Sequence, residues 1–192
     1  MPQLTSPQMH VVKKEEKESR LKAFILEHVS GGSNGAAPVL SFLARAVDSP
    51  VYHAVKALAP DLAAAGIAVR AVIVHEPDDG SLDFVMDGVV HHIRQGRDLR
   101  LLDAHEQLVI GSQVAWIGDC MRRDPTKRDA YECYSANSAA TATFTLRSFE
   151  RIWQRSVGIV SPTPVELATG DTLEPSLMVA NRDDTAAVSS RH

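Results

Sequence analysis

The stretch between Leu101 and Trp153 constrains this chain more than any other. It reads LLDAHEQLVIGSQVAWIGDCMRRDPTKRDAYECY and, after a short gap, SAATATFTLRSFERIW. Gln107–Ile110 and Val114–Ile117 are short apolar runs separated by Gly111-Ser112-Gln113. Strands joined by so short a turn pair antiparallel, as a hairpin. Val109 and either Ala115 or Trp116 then face the core, because a slip of one residue exchanges the two faces of a strand. Tyr131–Tyr134 predicts a further strand. The spacing from Ser138 to Val157 predicts a long helix with Leu146, Phe149, Ile152 and Trp153 on one face. Arg147, Arg151 and Arg155 follow one another at i, i+4 and i+8 on another face.

Upstream, Ile67–His75 (IAVRAVIVH) alternates and is β-branched, which predicts a strand. His53–Ala65 predicts a helix distorted at Pro60 and stopped by Gly66. Val39–Val47 reads equally as a helix or a buried strand. Leu82–Ile93 is ambiguous, with Phe84, Val85, Val89 and Ile93 fitting a helical face. PDDG at 77–80 predicts a turn, and Arg100–Asp103 a strand. Helices alternating with strands imply an α/β protein with a mixed β-sheet and helices packed on its faces.

Composition sets the boundaries. At 192 residues, 44% of them apolar and 23% charged, the chain suits one domain with a substantial core. Residues 1–12 are expected to be a disordered N-terminus. Residues 13–37 are expected to hold a helix (Leu21, Phe24, Ile25 and His28 at helical spacing) and a flexible connection through SGGSNG. Residues 38–160 form the domain, and 161–192 read as a disordered acidic tail. A net charge of −4 implies no general affinity for nucleic acid or anionic membrane. Two cysteines exclude a disulfide framework. No signal peptide or membrane-spanning run is read, so a cytoplasmic protein is expected.

The order His105, Gln107, Ser112, Gly118 and Glu132, set on strand, turn and strand, resembles the second portion of a phospholipase D-type half-domain. The resemblance spans roughly Pro38 to Val157 and implies that family's α/β layer sandwich. In that family a His attacks the phosphorus of a phosphodiester, a second His protonates the leaving group, and Lys residues hold the phosphate oxygens. His105 takes the nucleophile's place, and Glu132 that of an acidic residue on the following strand, as catalytic candidates. Gln107 stands where the family has Lys, and Ser112 where it has Asp. Gly118-Asp119-Cys120-Met121 replaces a Gly-Ser-x-Asn-like segment. No internal repeat is read, so the resemblance implies a single half that either pairs as a homodimer or works without its partner.

An imidazole is a competent nucleophile near neutral pH, but the transferring phosphoryl group needs positive charge around its oxygens. Gln107 offers a hydrogen bond without charge. Arg122, Arg123, Lys127 and Arg128 form the densest basic cluster and, with Gln107, are the candidate ligand-binding residues. Asp119, Asp124 and Asp129 interleave with that cluster, so a solvated ion-pair loop is the competing reading. His53, His75, His91, His92 and His105 lack metal-ligand spacing, and neither a metal nor a cofactor is expected. Cys120 and Cys133 are expected as free thiols. The expected function is a non-catalytic binding or regulatory module. The alternative is a phosphodiesterase or phosphatidyltransferase-like enzyme acting as a homodimer through His105. A small phosphate-containing ligand or a protein is the expected partner.

Overall fold

Burial on both faces explains the centre of the molecule. The computed structural model describes residues 8–29, 39–75, 86, 88–89, 91–96, 105–119 and 129–160, all within one compact unit, Met1–Pro162. The elements run β1 (Gln8–Lys13), α1 (Lys14–Val29), β2 (Val39–Ala44), α2 (Pro50–Ala57), α3 (Ala59–Ala64), β3 (Ala68–Ile73), β4 (His91–Gln95), β5 (Gln107–Ile110), β6 (Val114–Ile117), β7 (Asp129–Ser135), α4 (Ala139–Arg155) and β8 (Val157–Val160). One sheet holds the described strands in the order β1-β7-β6-β5-β2-β3-β4-β8. The neighbours β2–β3 and β3–β4 are parallel, and the other pairs are antiparallel. Central strands covered on both faces read as continuous apolar runs. Hence VLSFLA forms β2 and not a helix, with every residue from Leu40 to Ala44 buried.

The main core lies under α1, α2 and α3, where Leu21, Phe24 and Ile25 meet Leu40, Phe42, Val69, Leu108 and Trp116. On the opposite face α4 lays Phe149 and Ile152 against Leu43, Val72 and Val74. Its neighbour Ala142 covers Val109 and Ala115. Ser49 and Ser138 cap α2 and α4, each accepting a backbone N–H three residues on. The helix expected across 53–65 divides at Leu58, with Pro60 in the first turn of α3. Gly66 ends it at φ +65°, a backbone favoured by glycine. Among the described residues, no helix is long and apolar enough to cross a membrane.

Several expectations are corrected. Residues 8–12, expected within a disordered N-terminus, form most of β1, paired in register with β7 from Gln8↔Tyr134 to Lys13↔Asp129. This strand does not show as a buried face because only Val12 is buried; Met9 and Val11 face solvent. The domain therefore begins before residue 38, since α1 supplies Leu21 and Ile25, both fully buried, to its main core. Ile93, expected on a helical face, lies on β4 opposite Ala71, where pairing with β3 overrides its spacing. Val157, expected to end the last helix, begins β8, which pairs with β4. The hairpin holds as expected: Leu108 faces Trp116 and Val109 faces Ala115. The run 77–80, the strand 100–103, the glycine-rich connection 31–35 and the tail 161–192 lie outside the described residues.

Candidate functional site

Gln107 opens β5 and His105 lies two residues before it, at the end of the sheet where β2 and β3 finish. His105 is exposed and Gln107 is buried, with 5% of its surface accessible. Gln107 pairs across the sheet with Leu43 and Ile117. Directly opposed residues share a face, so Gln107 lies on the side of Leu43, covered by α4. Arg45 extends β2 at the same end. Its carbonyl accepts from His75 N–H at 2.6 Å, continuing the β2–β3 ladder. Its N–H donates to Glu106 Oε1 at 3.2 Å. The Arg45 Nε and Nη2 atoms and Gln107 Nε2 are buried and make no hydrogen bond among the described residues. These buried donors, without a hydrogen-bond partner among the described residues, mark the candidate binding site.

Glu132 lies elsewhere. It is fully buried on β7, on the α1 face. Its Oε1 meets Lys17 Nζ at 2.8 Å. Its Oε2 accepts from Trp116 Nε1 at 3.1 Å and from the Tyr134 hydroxyl at 2.8 Å. Lys17 also reaches Asp119 Oδ1 at 3.7 Å and stands over the Trp116 ring, 6.0 Å from its centroid. The structure thus sets His105 two residues ahead of Gln107 at the entry to β5 and Glu132 on the other face of the sheet, joined to an internal cation. Gly118 continues the β5–β6 ladder by donating to the Glu106 carbonyl at 2.8 Å. A methyl group there would come within 2.8 Å of the Trp116 ring, so only glycine allows this close approach. Asp119 follows at φ +49°. Arg122, Arg123, Lys127, Arg128 and Cys120 lie outside the described residues; Cys133 is a buried free thiol whose pKa is raised by burial.

Reading by residue missed Lys17, Arg45, Trp116 as a hydrogen-bond donor, and Tyr134. A signal existed for Lys17. It precedes Leu21 and Phe24 by four and seven positions, which sets a charge in the apolar stripe of α1. A lysine there needs a buried partner.

Burial pushes the Tyr134 phenol up to about 12, against smaller opposing effects from Arg20 and the Trp116 hydrogen bond. The folded chain therefore favours the neutral phenol. The stabilisation this represents is full below the ordinary tyrosine pKa of about 10 and disappears as pH rises from there through about 12. Absorbance titration at 295 nm should show a phenol ionising near 12. Tyr134→Phe should remove that component; its persistence would assign it to another tyrosine.

This arrangement has a recognisable class: it is the phospholipase D-like α/β fold. The chain is similar to Nuc from Salmonella typhimurium, a phospholipase D family member, at 15% identity and a TM-score of 0.51, covering 81% of this chain and 100% of that one. It is also similar to NucT from Helicobacter pylori at 10% identity and a TM-score of 0.53, covering 80% and 99%. TrmBL2, an archaeal chromatin protein with a novel mode of DNA binding, matches at 8% identity and a TM-score of 0.53, covering 79% of this chain and 55% of that protein. No protein-family model matches the sequence, and no curated protein is similar to it by sequence.

Proposed function

We propose that this chain is a non-catalytic binding or regulatory module on a phospholipase D-like fold. Its ligand is an anion rich in hydrogen-bond acceptors, such as a phosphate-containing molecule, held at the sheet end by Arg45 and Gln107. The observation carrying this reading is Gln107: a buried, neutral amide at the position where the resembling family has Lys. An amide cannot neutralise the charge that develops on phosphoryl oxygens. An unsatisfied buried donor costs about 1–3 kcal/mol, and ligand oxygens at Gln107 Nε2 and the Arg45 guanidinium would relieve that cost. Arg122, Arg123, Lys127 and Arg128 are the further cations proposed to reach this ligand. Glu132 is occupied by Lys17, Trp116 and Tyr134, which supports a structural role for it.

The competing reading is a homodimeric phosphodiesterase or phosphatidyltransferase-like enzyme with one His105 from each chain. The exposed imidazole of His105 and the likeness to a phospholipase D family member favour it. The two readings part on turnover of bis-p-nitrophenyl phosphate. Losing one preorganised charge-stabilising group costs about 10²- to 10³-fold in rate, so the purified protein should show no hydrolysis above background. Gln107→Lys alone should recover little, because a single restored cation leaves the His105 half-site without the second His that the resembling family uses to protonate the leaving group. Robust turnover by the unaltered protein, abolished by His105→Ala, would establish the enzyme in place of the binding module.

A further inference from the structure

The Arg147/Arg151 stripe of α4 borders a cavity that the sheet-end site does not use. The cavity measures about 460 Å³ and lies between α4 and the Gly111-Ser112 turn. That turn is at the far end of β5 from His105. Gly111 N–H donates to the Val39 carbonyl at the start of β2. The strand separates Gln107 from Gly111 by about 14 Å at ~3.4 Å per residue, so the two sites are distinct.

We propose that this groove binds a phosphate group carried on an apolar body. Ala142 and Leu146 give it an apolar wall, and Arg147, Arg151 and Gln154 line its polar side. The arginines are one helical turn apart and exposed, and neither forms an ion pair among the described residues. Glu150 also lines the groove, but its carboxylate is engaged by Arg70, with Nη2 to Oε2 at 3.1 Å. The Arg70 guanidinium is itself held over the Trp153 ring, 4.3 Å from the centroid. The carboxylate is therefore neutralised from within, and two cations remain for a ligand in a chain whose net charge is −4. Planar guanidinium groups bind phosphate oxygens in pairs. The apolar wall requires more than inorganic phosphate to fill it, and the volume suits a small organic ligand.

Calorimetric titration at low salt tests this with three probes: adenosine monophosphate, dihexanoyl phosphatidic acid and inorganic phosphate. One of the organic phosphates should bind roughly tenfold or more tightly than inorganic phosphate, and the one that does so identifies a nucleotide or a lipid as the source. Arg147→Ala/Arg151→Ala should weaken that binding roughly tenfold or more without altering the melting temperature. Ser112→Glu, which brings a negative charge to the turn, should weaken it as well. Binding no tighter than that of inorganic phosphate overturns the proposal. So does binding that survives the double substitution, or that is lost in Arg45→Ala while the α4 variant retains it. This last outcome would assign the ligand to the sheet-end site and leave the proposed function intact.

Discussion

Glu132→Ala is expected to destabilise the domain by about 3–5 kcal/mol, the usual cost of removing one partner from a buried ion pair. The substitution leaves Lys17, only 8% exposed, with Asp119 at 3.7 Å as its remaining counter-ion. It also removes the acceptor of both Trp116 Nε1 and the Tyr134 hydroxyl, and orphaned buried donors add to the cost. Urea unfolding followed by circular dichroism measures the effect. A double variant, Lys17→Met/Glu132→Leu, should recover the part of the loss due to the unpaired charge but not the part due to the lost acceptor of Trp116 Nε1 and the Tyr134 hydroxyl. If Glu132→Ala keeps the stability of the unaltered protein, the pair is not a clamp between α1 and β7, and Glu132 is free to act in chemistry.

Trp116→Asp should leave the domain unfolded at 25 °C. The indole is fully buried, packs in the main core and lies against Gly118. Truncating a core tryptophan costs about 3–5 kcal/mol. A carboxylate inserted into the apolar space costs several kcal/mol more or is forced to take up a proton. The sum approaches the roughly 5–15 kcal/mol that holds an ordinary domain together. Near-ultraviolet circular dichroism should lose its native signal, and thermal scans should lose their cooperative transition. A native spectrum and an unchanged melt would show that position 116 is at the surface.

The two substitutions probe layers of the structure that differ in how far the sequence discloses them. Trp116 belongs to the legible part. The run VAWI after a three-residue turn places it on a strand, and β-branched neighbours bury that strand whichever face it presents. The β5–β6 hairpin, β3 and α4 were all legible for this reason: each carries its own periodicity within a short stretch, and each is closed by a local turn or cap. The phospholipase D-like arrangement was legible as a pattern of such elements together with His105.

Local signals also misled. The segment Gln8–Lys13 buries only Val12 and becomes a strand because β7 offers its edge. Ile93 fits a helical spacing, yet it lies beside Ala71 on the central sheet. For β2, helix and strand remained equal until its neighbours on both sides were known. In each case the deciding energy is a hydrogen-bond ladder to residues far away in the chain, which no window of sequence contains.

The α/β class, the hairpin and the amphipathic last helix were readable from the chain alone. These follow from residue type and short-range spacing. Folding alone joins Glu132 to Lys17 and separates it from Gln107 by the thickness of the sheet. It also decided that Arg45 and Gln107 present unsatisfied donors at one sheet end, and that Arg70 neutralises Glu150 beside the α4 groove. The partners in these pairs are distant in the chain, as Lys17 and Glu132 are. Their charges acquire a role only when folding excludes water and fixes which groups can reach one another.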